Sequence, residues 1–293
     1  MWNLNGILTV VLFCLAQQAL SEPNFSGEKA LNHIVDQIAF GPRSPDNPKG
    51  KQQTLAYMKQ TLTPLADKLV LQSFTYKGVS GTNLWASIES ANKKTSSARI
   101  MLGAHWDTRP LHNNIKGVVN LGANDGASGV AVLLELARIL SLSPPSIGVD
   151  LIFFDLEDMG NINHLPYAIG SRQFVQNNPE YRPRAGIIVD MVCDKSLSIP
   201  REKHSQTRAR EIVDQVWEIA SNQGAKAFKR RSGTFITDDH LPFLDAGIPV
   251  IDIIHYPFPK YWHTAGDTLD NCSAESLGQV GRVVTEFIYS QRP

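Results

Sequence analysis

The chain has 293 residues, of which 42% are hydrophobic and 19% charged, as in an ordinary globular protein. This length suits one large α/β domain or two small ones. The formal net charge is zero, so the composition gives no reason to expect a nucleic-acid partner or attraction to an anionic membrane surface. The sequence also contains no internal repeat, heptad pattern or low-complexity tract.

The N-terminus has the features of a secretory signal peptide. Residues 7–16 form an apolar run, and residues 19–21 resemble a small-x-small cleavage site, although residues 1–6 lack Lys and Arg. The apolar run is too short for a comfortable transmembrane helix. We therefore predict a signal peptide over residues 1–21, a single mature domain over residues 22–293, and an exported protein without stable membrane insertion.

Two cysteines, Cys193 and Cys272, remain after removal of that peptide. Two cysteines allow one disulfide without demanding it, so the sequence does not indicate a disulfide scaffold. A role as small buried hydrophobes is more common for such residues than a role as reactive thiols. Their pairing stays open at this stage, as does the oligomeric state.

Apolar strands alternate with helices along most of the chain. Two N-terminal helices flank a proline-rich loop at residues 40–48, and two strands at residues 70–76 and 83–88 indicate a hairpin or sheet edge. The predicted elements that follow are strand 99–104, helix 126–140, strand 149–155, helix 171–176, strand 185–189, helix 208–221, strand 249–254 and helix 274–289. This alternation predicts an α/β fold: a single domain with a mixed, mostly parallel twisted sheet and helices on both faces.

Side chains suited to metal binding or proton transfer follow the predicted strands or open a helix on the same side. In a parallel sheet, ligands bind outside the carboxyl ends of the strands, so residues far apart in sequence converge there. The residues expected at this edge are His105, Asp125, Glu157, Asp158, Asp190 and His263. Carboxylates and imidazoles suit a catalytic zinc with three protein ligands and one open position. For single residues other roles stay open: Asp125 as a helix cap, His105 as a partly buried polar group.

Five short motifs resemble the zinc aminopeptidase superfamily with the phosphorylase/hydrolase-like fold. They are HWD (105–107), GANDGASG (122–129), FDLED (154–158), IVDM (188–191) and WHT (262–264). A more specific set resembles the glutaminyl-peptide cyclotransferases. This second set consists of TDDHLPFL (237–244), GIPV (247–250) and PFPKYWH (257–263). The similarity extends from about residue 40 to the C-terminus, and the second set matches in residue type and in the spacing from Asp238 to His263.

The cyclotransferase resemblance implies a ligand set for one zinc ion. Asp125, Asp158 and His263 would bind the metal, and Glu157 would transfer protons. At the second carboxylate animal cyclases have Glu where this chain has Asp158. The loop at residues 159–164 also lacks the pocket tryptophan that animal cyclases carry there.

The same resemblance implies how the substrate is held. Asp190 and Asp238 would form a carboxyl network beside the substrate amine. Trp262 would line the pocket and donate its indole N–H, and Phe258 would form a wall. The implied substrates are peptides with a free N-terminus, and the implied reaction converts an N-terminal glutamine to pyroglutamate with release of ammonia.

Two other functions stay open on the sequence. In a secreted aminopeptidase a second metal would be held by His105 and Asp190, with Asp125 bridging two zinc ions. A non-catalytic homologue would keep the fold as a binding module. The histidines at 240 and 255 are interpreted as structural.

Overall fold

A computed structural model of the chain describes residues 24–91, 98–111 and 118–293. The predicted signal peptide lies outside these residues. None of the helices in the described ranges combines the length and the apolar character that a membrane span requires.

The N-terminal part of the chain packs two helices beside a β-hairpin. These elements are α1 (Gly27–Ala39), α2 (Pro48–Leu62), β1 (Lys68–Tyr76) and β2 (Val79–Ile88). The strands pair antiparallel, with Tyr76 opposite Val79, and the two residues between them have positive φ: 46° at Lys77 and 83° at Gly78. Two consecutive residues with positive φ are the requirement of the tight turn that suits strand twist. The predicted hairpin is confirmed.

The central sheet has six strands. The hairpin strands β1 and β2 are joined by β3 (Arg99–His105), β4 (Gly148–Phe154), β5 (Gly186–Asp190) and β8 (Val250–Ile254). Their order across the sheet is β1-β2-β4-β3-β5-β8. The pairs β4–β3, β3–β5 and β5–β8 are parallel, whereas the hairpin adds an antiparallel edge to β4. The mixed, mostly parallel sheet predicted from the apolar runs is confirmed.

Helices cover both faces of this sheet. The remaining helices are α3 (Ala127–Leu142), α4 (Ile169–Asn177), α5 (Lys203–Arg208), α6 (Arg210–Asn222), α7 (His240–Asp245) and α8 (Ala274–Ser290). Alternate residues of a strand face opposite sides. In β3, Leu102 packs in the core that contains α1, α3 and α8, whereas Met101 packs with Phe174 of α4 and Phe243 of α7. Burial on both faces explains the near-continuous apolar runs of these strands.

Three details of the sequence-based prediction are wrong. The predicted helix 208–221 corresponds to α6 but begins two residues too early, because Ala209 has φ −139° and ψ 42°, outside the helical region. The short helix α5, which ends at Arg208, was not predicted. A two-stranded parallel sheet was also not predicted; it pairs β6 (Ile199–Arg201) with β7 (Phe228–Ser232). These strands are only 3 and 5 residues long, and β7 is mostly exposed and basic, so neither carries a clear apolar alternation.

Cys193 and Cys272 form a disulfide, with their Cα atoms 4.6 Å apart. The bond links the loop after β5 to the segment before α8, across 79 residues of sequence. Both cysteines are buried, and their pairing answers the question that spacing left open.

Candidate active site

Asp125 lies in the glycine-rich loop that opens α3. The helix begins after Gly126, which has φ 98°, and no side chain caps it, so the interpretation of Asp125 as a helix cap is wrong. Its carboxylate instead lies between two imidazoles: Oδ1 is 3.1 Å from His105 Nε2, and Oδ2 is 3.3 Å from His263 Nε2. The carboxylate of Asp267 accepts the backbone N–H of Asp125 at 2.9 Å and holds the loop in this orientation.

A buried arginine, Arg43, also holds the loop that carries Asp125. The guanidinium of Arg43 donates to the backbone carbonyls of Trp106, Leu121 and Gly122. Burial lowers the pKa of Arg43 to about 10, and nearby carboxylates, Asp267 foremost, oppose that shift. Its surrounding sequence is a proline-rich loop without any motif, so sequence reasoning missed this residue.

Glu157 and Asp158 follow β4 at a sharp turn. Leu156 adopts φ 61° and ψ 33°, a left-handed conformation that is uncommon outside glycine and that redirects the chain at the strand end. The two carboxylate oxygens of Asp107 accept the N–H groups of Glu157 and Asp158 at 3.0 and 3.1 Å. Oδ1 of Asp107 also lies 3.5 Å from Nδ1 of His105. Asp107 therefore contacts both the turn at Glu157 and the imidazole of His105. The carboxyl groups of Glu157 and Asp158 are consequently held next to each other and buried.

His263 completes this group from the loop after β8. Its backbone is left-handed, with φ 58°, and its Nε2 lies 2.9 Å from Asp158 Oδ1. The imidazole stacks on Trp262 at 3.7 Å between ring centroids, and Trp262 stacks on Phe258 at 4.2 Å. Such stacking restricts the rotation of the imidazole and forms an aromatic wall beside it.

The donor atoms form two overlapping groups that share Asp125. One consists of Asp125, Asp158 and His263, the other of His105, Asp125 and Asp190, and one donor atom per residue lies within 4.8 Å of the others in its group. Zinc–ligand bonds of about 2.0–2.2 Å in a tetrahedron place ligand atoms roughly 3.4 Å apart. The distances from His263 Nε2, 2.9 and 3.3 Å, fit that spacing. Oδ2 of Asp125, one of these atoms, is buried without a hydrogen-bond donor among the described residues, as expected of an atom that faces a cation.

The electrostatics of the site also favour a bound cation. Burial, reinforced by Asp125, raises the pKa of Asp158 to about 6. Burial likewise raises the pKa of Asp190 to about 7, although His105 opposes the shift. The pKa of Glu157 lies well above its usual value because of burial and of the negative charge of Asp238. A divalent cation would offset this concentration of buried negative charge.

All the residues predicted for the site converge on one pocket. The residues that line it include Asp125, Glu157, Asp158, Asp190, Asp238, Phe258, Trp262 and His263. His105 lies beneath them, 2% exposed, with Nε2 3.0 Å from Asp190 Oδ1.

Sequence reasoning missed Tyr167 and Arg109. Tyr167 lines the pocket from the segment that follows the loop without the tryptophan. Arg109 lies 5.8 Å from the centroid of the Tyr167 ring, and its Nη1 donates to Asp158 Oδ1 at 3.3 Å. The available signal was that Tyr167 is the one aromatic residue among positions 159–168.

Comparisons with known proteins show which family the chain belongs to. The model of peptidase family M28 matches residues 83–288. The solved glutaminyl cyclase of Bacteroides thetaiotaomicron, bound to N-acetylhistamine, is 35% identical; the match covers 93% of this chain and 100% of that one, with a TM-score of 0.83. A leucine aminopeptidase precursor from the same organism is also 35% identical, over 93% and 99% of the two chains, with a TM-score of 0.84.

More distant relatives include animal cyclotransferases. The glutaminyl-peptide cyclotransferase of Bos taurus is 24% identical over 284 residues, which cover 84% of this chain and 77% of that protein. The family match includes strands β3, β4, β5 and β8 together with the loops that carry the pocket. The chain belongs to peptidase family M28, in the glutaminyl cyclase branch of the zinc exopeptidase superfamily.

Proposed function

We propose that this protein is a zinc-dependent glutaminyl-peptide cyclotransferase. It converts the N-terminal glutamine of a peptide to pyroglutamate and releases ammonia. The observation that carries the proposal is the group of Asp125, Asp158 and His263, which lines the same pocket as Glu157, a carboxyl group whose pKa burial raises well above its usual value. The similarity to solved glutaminyl cyclases supports the choice of reaction.

Glu157 is the proposed proton-transfer residue. A zinc ion held by the group would polarise the γ-amide carbonyl as a Lewis acid. The substrate reacts as the free α-amine, after its ammonium form has lost one proton to solvent. As the amine attacks the γ-carbonyl carbon and a new C–N bond closes the five-membered ring, Glu157 accepts a second proton from the attacking nitrogen. Glu157 passes this proton to the γ-amide nitrogen as the old C–N bond breaks, so that nitrogen leaves as ammonia. A carboxyl group with a raised pKa suits both transfers near neutral pH.

The remaining pocket residues orient the substrate. Asp190 and Asp238 line the same pocket as Glu157 and would accept hydrogen bonds from the α-amine. The stacked rings of Phe258 and Trp262 would wall the glutamine side chain and exclude water. Because the attack is intramolecular, most of the rate acceleration from positioning comes from holding the substrate in the ring-closing conformation.

Product mass tests this function directly. Incubation with a peptide that begins with glutamine should yield a product lighter by ammonia, about 17 Da, which identifies cyclisation rather than cleavage. A matched peptide that begins with glutamate or leucine is the control and should stay unchanged. Release of the free N-terminal amino acid would show that the protein is an aminopeptidase and not a cyclase.

The two-zinc aminopeptidase is the second candidate, and one contact favours it. His105 Nε2 lies 3.0 Å from Asp190 Oδ1 and 3.1 Å from Asp125 Oδ1, so these three side chains could hold a second metal ion. The similarity to a leucine aminopeptidase precursor also supports this candidate.

His105→Ala separates the two candidates by metal content. In a one-zinc cyclase the variant should retain about one zinc per chain and part of its activity, because His105 then only packs against Asp125 and Asp190. In a two-zinc aminopeptidase it should lose one of about two zinc ions and abolish turnover. The measurement is zinc per chain by elemental analysis, beside kcat. A drop from two zinc ions to one would favour the aminopeptidase.

We also propose that residues 1–21 are removed during export and that the mature domain begins near Glu22. The disulfide between Cys193 and Cys272 supports an oxidising destination, where such bonds persist. N-terminal sequencing of protein from its native host should read a start near Glu22. An intact Met1 on protein from the cytosol would contradict export.

A further inference from the structure

A buried row of ionisable side chains runs from behind the pocket wall to Asp238. Glu202, His240 and Asp252 are at most 1% exposed. His240 Nε2 lies 3.3 Å from Glu202 Oε2, and His240 Nδ1 lies 3.8 Å from Asp252 Oδ2. One donor atom of Asp252 and one of His240 also lie within 4.8 Å of a carboxyl oxygen of Asp238. The row therefore joins a buried corner of the fold to a pocket residue.

Glu202 is fixed as an anion at the far end of the row. Its carboxylate accepts the N–H groups of His204, Ser205 and Ile236 at 2.8, 2.6 and 3.1 Å. It also accepts the hydroxyl of Ser205 at 2.7 Å. Burial alone would raise the pKa of Glu202, but His240 and these hydrogen bonds outweigh it and lower the pKa to about 2.

The near end of the row has two carboxyl groups and too few donors. Both carboxyl oxygens of Asp252, and Oδ2 of Asp238, are buried without a hydrogen-bond donor among the described residues. Two neighbouring carboxylates cannot both stay ionised at low cost, so one proton between them relieves the repulsion and supplies the missing hydrogen bond. Burial, followed by the charge of Asp238, accordingly raises the pKa of Asp252 well above its usual value.

We propose that Asp252, backed by His240 and Glu202, is a positioning residue that holds Asp238 in the pocket through a shared proton. Asp238 lines the pocket, whereas Asp252 is fully buried behind it on β8. The shared proton fixes Oδ2 of Asp238, and Oδ1, which accepts the backbone N–H of Asp239, faces the substrate amine in this proposal. This inference rests on the proposed function in giving Asp238 that role.

A double-mutant cycle tests whether Asp252 acts through Asp238. Asp252→Ala should lower kcat/KM by ~10–100-fold, the usual loss when a partner that orients an active-site group is removed. Zinc per chain should not change. Asp252→Asn keeps a donor toward Asp238 and should restore kcat/KM to within about threefold of wild type. In an Asp238→Asn background, Asp252→Ala should add little, because the residue through which it acts is already altered.

Asp150→Ala is the matched control. Asp150 is also a fully buried strand carboxylate, on β4, but it bonds Ser87 and Arg99 away from the pocket. This variant should lower the melting temperature and leave kcat/KM near wild type. The proposal would be overturned if Asp252→Ala also lowered only the melting temperature and left kcat/KM near wild type. It would also be overturned if the losses of kcat/KM caused by Asp252→Ala and Asp238→Asn multiplied in the double variant.

A crystal structure of Asp252→Ala gives a readout that does not depend on the substrate. The side chain of Asp238 should leave its wild-type rotamer, whichever reaction the enzyme catalyses. An unmoved Asp238, or a wild-type crystal with a metal ion between Asp238, His240 and Asp252, would contradict the shared proton. If the proposed function is wrong, the wild-type enzyme will not cyclise an N-terminal glutamine. The double-mutant cycle is then measured with a leucine anilide, a substrate for an aminopeptidase.

Discussion

Glu157→Gln is expected to keep its zinc and lose ~10²–10⁴-fold in kcat, the usual contribution of a general acid–base residue. Gln has nearly the same size as Glu and can still accept a hydrogen bond, but it cannot take a proton from the substrate amine. The backbone N–H of residue 157 donates to Asp107 and is unaffected by the change, so the turn should persist. The measurements are kcat with a peptide that begins with glutamine and zinc per chain.

Glu135→Gln is a suitable control for Glu157→Gln. Glu135 is fully buried in α3, but it pairs with Arg138 and the N–H of Ser26, away from the pocket. This control should lower stability through the lost ion pair and leave kcat near wild type. If Glu157→Gln retains full activity, Glu157 does not transfer the proton.

Asp158→Asn is expected to lose zinc, and its activity with it. The change removes one anionic ligand from a group in which Asp158 Oδ1 lies 2.9 Å from His263 Nε2. Metal affinity depends on deprotonated ligands, so a neutral amide should weaken binding and make activity depend on added zinc. The measurements are zinc per chain after dialysis, and kcat with and without excess zinc.

Asp158→Glu is the matched variant, because it keeps the charge and adds one methylene. It should retain zinc better than Asp158→Asn, although Arg109, which donates to Asp158 at 3.3 Å, must shift to make room. If Asp158→Asn binds zinc as tightly as wild type, the ligand assignment is wrong. The pair therefore separates the loss of a ligand from a change in pocket shape.

Local sequence patterns were sufficient for the elements that carry the site. The apolar runs of β3, β4, β5 and β8 are buried on both faces. A strand buried in this way is recognisable from its own near-continuous apolar residues. The polar residues that follow such strands meet at one edge because parallel strands all point the same way. Sequence alone therefore brought His105, Glu157 and Asp190 to the same edge.

Only the tertiary structure decided which distant groups support that edge. Arg43, Asp267 and the row from Glu202 to Asp252 contact partners up to 142 residues away in sequence, and no periodicity records such pairs. The disulfide depends in the same way on two loops that packing brings together. Local patterns encode which side of an element is buried, whereas the partner of a buried charge depends on the whole packed arrangement. The sequence by itself thus determined the strands of the central sheet and most of the pocket residues, and the fold decided how each charge is held.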